Sequence, residues 1–151
     1  MRITYILMLL VLSTVAIANE NQKQIYLEYE SAYMSNDADR FSEWLSQEYT
    51  IKQTLHIPGV GPDYRPVTKE QLVAGMRKVG RPSSFPRSDS ANVSIEQKGE
   101  MEFCGRSSTK TQTKVRGKDY EEKEKRKVCF RKEGGKYLAI EHTIDVYFIE
   151  M

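Results

Sequence analysis

The sequence predicts an α+β domain, with helices in its first third, strands in its second half and one disulfide. Three observations predict it. Apolar side chains recur at helical spacing between residues 22 and 35. A helix-start signature stands at Thr68-Lys69-Glu70-Gln71. From residue 91 onward the apolar period changes to two.

Residues 1–18 read as a signal peptide. One basic residue, Arg2, precedes an apolar run from Tyr5 to Leu12, and Ala16-x-Ala18 offers the small residues a signal peptidase needs. The run is shorter than the roughly 20 residues a membrane-spanning helix requires. The expectation is an exported protein, periplasmic or secreted, with a single domain over 19–151 and no membrane attachment once the leader is removed. Cleavage takes away one charged residue, leaving 22 basic and 21 acidic side chains. That near-balance excludes the basic excess of a nucleic-acid binder.

The first helix covers 22–35, with Ile25, Tyr26, Tyr29, Ala32 and Tyr33 as one apolar stripe. Asn36-Asp37 breaks it, and Asp37 is suited to cap a second helix carrying Phe41, Trp44 and Leu45. Residues 48–55 read as a short strand, and 57–67, with three prolines and two glycines, as a loop. The third helix starts at the capping box, buries Leu72, Gly75, Met76 and Val79, and ends at Gly80 before Pro82. Residues 81–90 form a loop without periodicity.

In the second half, Ala91, Val93, Ile95, Met101 and Phe103 share one strand face. Residues 109–115 alternate more weakly, 116–119 form a turn and 120–131 make the next strand. Glu133-Gly134-Gly135-Lys136 is a hairpin turn. The last strand, 137–149, puts Leu138, Ile140, His142, Ile144, Val146 and Phe148 on one face. The expected sheet is a four-stranded antiparallel meander with the earlier short strand added at an edge.

Cys104 and Cys129, in an exported chain, read as a disulfide. By parity both lie on the outer face of the sheet. Neither they nor the two isolated histidines, His56 and His142, have the spacing of a metal cluster. No metal and no cofactor is expected. The mixed run from Glu121 to Lys127 reads as a solvated sheet face, with a protein-docking surface as the other reading. Asn92-Val93-Ser94 matches a glycosylation sequon, which matters only in a eukaryotic secretory pathway.

The pattern Tyr29-x-x-x-Tyr33-x-x-Asn36-Asp37-Ala38-Asp39-x-Phe41-x-x-Trp44-Leu45, with the element order around it, resembles the nuclear transport factor 2-like superfamily. That group includes SnoaL-like polyketide cyclases, ketosteroid isomerase and scytalone dehydratase. The resemblance implies a cone, in which a curved antiparallel sheet wraps the N-terminal helices around a pocket. It implies Tyr29, Tyr33, Trp44, Met101, Phe103 and His142 as lining residues. Tyr29 is spaced from Asp37 like the oxyanion-binding tyrosine of ketosteroid isomerase. The same alignment puts Gln53 where that enzyme has its carboxylate base, and an amide cannot serve as one.

His142 stands alone on an apolar strand face, where an imidazole is either a general acid or base or a buried, hydrogen-bonded core residue. Asp39 or Tyr33 is the candidate partner for it. A fold of this kind does not fix function. The favoured expectation is a non-catalytic binding module, holding a small apolar ligand in the cone or a protein on its sheet. The second is a cofactor-independent isomerase, cyclase or dehydratase using His142 with Tyr29 or Asp39. The third is a subunit of an envelope complex, a homodimer through the sheet, or a neutraliser of an exported toxin.

Overall fold

A computed structural model of the chain describes residues 19–79, 92–115 and 117–151. The expected signal peptide, the Gly80 cap with Pro82 and the loop after it, Ala91 and Arg116 lie outside the described residues. Helix α1 spans 19–34. It ends where Asn36 turns into the left-handed region, φ 52°, a conformation asparagine tolerates better than most residues. Asp37 then caps α2, Ala38–Ser42, by accepting from Arg40 N. This helix is shorter than the apolar spacing suggested. Trp44 falls in the following turn, and Leu45 already opens strand β1, Leu45–His56.

The segment expected as a loop contains a strand, β2, Asp63–Thr68, paired antiparallel with β1. Pro66 obscured it in the sequence. At a sheet edge, however, a proline sacrifices no ladder bond, and β2 is an edge strand. Thr68 then caps α3, Lys69–Val79. Its N–H donates to Gln71 Oε1 at 3.0 Å, and Gln71 N donates back to Thr68 Oγ1 at 3.3 Å.

The expected meander forms from β3, Ser94–Gln97, β4, Glu102–Val115, β5, Lys118–Glu133, and β6, Lys136–Glu150, all antiparallel. Gly134 and Gly135, both at positive φ, make the two-residue turn between the long strands. The whole sheet runs β2-β1-β6-β5-β4-β3. Strand β1 is thus not an edge. It lies between β2 and β6 and is parallel to β6, so the sheet is mixed.

Two local departures follow from register. Between β5 and β6 the pairing shifts from Cys129↔Glu141 to Phe130↔Ala139, leaving Ile140 as an extra residue. The bulge reverses the face before it. Ala139 joins His142, Ile144 and Val146 in the buried interior, and Leu138 and Ile140 do not share that face as expected. Met101 sits in the β3–β4 turn, 54% exposed, rather than beside Phe103 on the inner face.

The inner face is built by Ile51, Phe103, Val128, Phe130, Ala139, Ile144 and Val146, all buried. Helix α1 touches five adjacent strands: Gln22 bonds Gln97 on β3, Tyr26 Oη lies 2.8 Å from Ser107 Oγ on β4, and Tyr29 meets Phe130, His142 and Tyr49 on β5, β6 and β1. Five strands about 4.8 Å apart span more than a helix is wide, so the sheet curls round α1. The closest approach is at Gly105. A Cβ there would stand 2.0 Å from Tyr26 Cδ2.

Cys104 and Cys129 are direct cross-strand partners and form the expected disulfide. They carry the outward parity of their strands, yet both are buried. The bridge closes a 25-residue separation, worth roughly 3 kcal/mol in the chain-entropy model. Reduction is expected to lower the melting temperature by about 10 °C. A melting curve unchanged by reductant would show that the bridge contributes nothing.

Candidate functional site

The interior of the cone is polar at its centre. On α1, Tyr26, Tyr29, Glu30 and Tyr33 fall at i, i+3, i+4 and i+7, which puts all four on the sheet-facing side. On β5 the alternation that buries Phe130 and Val128 continues to Arg126, which is also buried. On β6 the segment after the bulge turns His142 inward, opposite Val128.

Two networks result. In the first, the Tyr26 and Ser107 hydroxyls both donate to Glu30 Oε1, each at 2.7 Å. Arg126 Nη1 stands 3.7 Å from the same oxygen, and Arg126 Nε donates to Glu124. The guanidinium carbon lies 5.8 Å from the centre of the Tyr33 ring. Burial opposes the Arg126 charge, but Glu124 and then Glu30 outweigh it, and its pKa is raised. In the second network, Tyr29 Oη lies 3.0 Å from Tyr49 Oη and 3.0 Å from His142 Nδ1, with Tyr49 Oη 3.3 Å from the same nitrogen. The His142 ring also packs edge-on to Tyr33, 5.1 Å between centres.

Burial, and secondarily Arg126, lower the His142 pKa to about 3. Burial likewise raises the pKa values of Tyr26, Tyr29, Tyr33 and Tyr49. At neutral pH the four tyrosines are phenols and the imidazole is neutral. A linkage effect follows. Above pH 6.5 neither folded nor unfolded chain protonates His142. Below it only the unfolded chain does, until the folded imidazole itself takes a proton near pH 3. Stability is therefore expected to fall with falling pH, by about 2 kcal/mol between pH 6.5 and 5 from this proton. Urea unfolding across that range checks it, because the loss should disappear in His142→Asn. An equal loss in the variant would place its origin elsewhere.

Three atoms of these networks have no hydrogen-bond partner among the described residues: Glu30 Oε2, Arg126 Nη1 and His142 Nε2. Each belongs to a side chain at least nine-tenths buried. Buried polar atoms of this kind are rare, because leaving one unbonded costs on the order of 1–3 kcal/mol.

Of the residues singled out from the sequence, the structure brings Tyr29, Tyr33 and His142 together. Phe103 stacks on Phe130 at 4.9 Å in the wall beside them. Trp44 is peripheral, 6.5 Å from the Tyr29 ring and covered by Lys136. Asp39 is not at His142. Its side chain is 85% exposed and pairs with Arg77 on α3 at 2.9 Å, because the short α2 turns it outward. Met101 is exposed in its turn, away from these three. Gln53 is half-buried on β1 opposite Ile144. His56 stacks on Tyr147 at 4.2 Å and lies 3.4 Å from Asp145 on the outer face.

Sequence reasoning missed Glu30, Arg126, Ser107 and Tyr49. Signals in the sequence pointed to two of them. Glu30 lies one turn from Tyr26 within the apolar stripe, and Arg126 has the same parity as Val128 and Phe130. The Glu121–Lys127 run is thus two faces, with Glu124 and Arg126 facing α1 and Lys123, Lys125 and Lys127 facing out. No group of residues suited to hold a metal ion occurs among the described residues. No helix among them is long and apolar enough to cross a membrane.

No protein-family model matches the sequence, and no curated protein matches it. Solved structures do. A nuclear transport factor 2-like protein of unknown function from Pseudomonas putida KT2440 superposes with a TM-score of 0.57 at 11% identity, over 86% of this chain and 87% of its own. One from Rhodospirillum rubrum, described as of unknown function in nutrient uptake, gives 0.55 at 15% identity over 81% and 94%. A third, from Novosphingobium aromaticivorans, gives 0.53 at 11% identity over 91% and 87%. With a helix enclosed by a curled sheet and these superpositions in agreement, the chain has the nuclear transport factor 2-like fold.

Proposed function

We propose that the protein is an exported binding module that holds a small molecule inside its cone and performs no chemistry on it. The observation that carries this reading is the set of three deeply buried polar side chains, Glu30, Arg126 and His142, each with one atom lacking a partner among the described residues. Tyr29, Tyr33 and Phe103 supply aromatic surface next to them. An aromatic enclosure with a few convergent polar groups is the usual make-up of a small-molecule site.

The His142 imidazole is poorly suited to catalysis. A general base works best with a pKa near the operating pH. His142, lowered to about 3, takes up almost no proton at pH 7. Its Nδ1 is already engaged by two phenols, and Asp39, the carboxylate considered for it, is on the surface. His142 is better suited to fix a ligand group than to move a proton.

Native mass spectrometry of the protein, purified gently from its own cells, tests the reading. The expected spectrum carries a mass increment from a retained small molecule. A bare mass, or one bound to a second copy or another protein, would contradict it and turn attention to the charged outer face.

A further inference from the structure

The outer face of the sheet carries its charges in rows set by strand register. Residues paired across strands point to the same side. Lys52, Thr143, Lys127 and Arg106 therefore form one row across β1, β6, β5 and β4. Lys125 stands in the next row, and Lys123 faces Lys110 in the one after. Asp145 is the single acid within these three rows, and it lies 3.4 Å from His56. We infer that this face docks an acidic segment of another protein. The inference is independent of what the cone holds.

Like charges set directly opposite each other weaken a sheet. That happens twice here, at Lys110 opposite Lys123 and at Arg106 opposite Lys127. On the rim, Glu121 pairs with Lys110 and Glu96 with Arg106. Lys52, Lys123 and Lys127 form no ion pair among the described residues. The Lys125 ammonium lies 5.2 Å from the centre of the Tyr147 ring, which stacks flat on His56. A carboxylate arriving between Lys123 and Lys110, or between Lys127 and Arg106, meets two cations at once and relieves their repulsion. A second copy presenting this face would bring the same lysines.

The positive patch is also bounded. Along β5 it ends at Glu121 on one side and at the Cys104–Cys129 bridge on the other, with Glu141 and Glu96 paired to the two cysteines on the same face. Lys123 to Lys127 spans roughly 14 Å of extended strand, and the four strands are about as wide. A nucleic-acid strand or a bilayer surface continues beyond such a patch and would meet the acids that frame it. A short acidic stretch of polypeptide fits within it.

Labelled hexaglutamate is the probe, with oligothymidylate and phosphatidylglycerol vesicles as the competing chemistries. Binding to the full protein is measured at low ionic strength, where screening is least. Hexaglutamate is expected to bind, and Lys123→Glu/Lys127→Glu to weaken it at least tenfold. That variant places a carboxylate opposite Lys110 and another opposite Arg106, so it should melt at or above the wild-type temperature. Lys132→Glu/Lys136→Glu, with as many reversals beside the Gly134-Gly135 turn, should keep binding within about twofold. Equal losses in the two variants would show that net charge alone is read, and would overturn the inference. So would a wild type that does not bind hexaglutamate. Oligothymidylate or vesicles binding at least tenfold more tightly than hexaglutamate would overturn the choice of a protein partner. If the Lys123/Lys127 reversal melts lower, Lys123→Gln/Lys127→Gln repeats the test without new charge, and undiminished binding there would overturn the docking face.

Discussion

Arg126→Met is expected to destabilise the fold by about 3 kcal/mol, the low end of the cost of breaking a buried ion pair from one side. The residue is buried between Glu30 and Glu124 and covers the Tyr33 ring. Methionine keeps much of the volume but leaves the Glu30 carboxyl, 3% exposed, without its counter-charge. The cost sits at the low end because the Tyr26 and Ser107 hydroxyls still donate to Glu30. The double variant Glu30→Met/Arg126→Met separates charge from packing. Removing both partners is expected to recover at least half of the loss, since neither buried charge is then stranded. Chemical denaturation of the two single variants and the double checks it. A double variant as unstable as the summed singles would mean that the two side chains act independently.

Gly105→Ala is expected to cost about 3 kcal/mol and to lower the melting temperature by about 10 °C, at the upper end of the range for an added methyl in a packed core. The new Cβ would meet the Tyr26 ring at 2.0, 2.6 and 2.7 Å. The ring is ill placed to withdraw. Its hydroxyl is bonded to Glu30 and near Ser107, and its face packs edge-on against Phe130, 6.4 Å between centres. The substitution should also disturb Glu30, since moving Tyr26 pulls away one of the donors to Oε1. Tyr26→Leu/Gly105→Ala should melt above Gly105→Ala alone, because it removes the ring that clashes. If Gly105→Ala melts with the wild type, α1 does not approach β4 as closely as the geometry describes.

The sequence made some of this legible and hid the rest for identifiable reasons. Helix starts were readable because their signals are local: Asp37 caps α2, and Thr68 and Gln71 exchange bonds across three residues. The meander was readable from alternation and the Gly134-Gly135 turn. The non-local features were not. Nothing within β1 announces that it pairs in parallel with a strand some ninety residues later, and Pro66 masked β2 because edge position is a property of the sheet. The extra residue at Ile140 exchanged the faces of Leu138 and Ala139, a reversal that unbroken alternation cannot foresee.

The site was half legible for the same reason. Tyr29, Tyr33 and His142 carry aromatic or titratable signals on apolar faces. Glu30 and Arg126 were hidden by their charge, which reads as solvent exposure unless the parity is followed inward. Asp39 was a candidate for His142 because a sequence carries no distances, and the fold places it on the surface against Arg77. The disulfide followed from export and parity, but not its burial.

For the proposed role of His142, a fixed recognition group rather than an acid or base, nitrogen-15 NMR of the histidine rings is the deciding measurement. The expected result is one neutral tautomer for His142 from pH 7.5 down to pH 4, with its Nε2 signal moving when a small molecule enters the cone. An imidazole that instead titrates between pH 6 and 7 would contradict it, and would make proton transfer the first chemistry to look for in the cone.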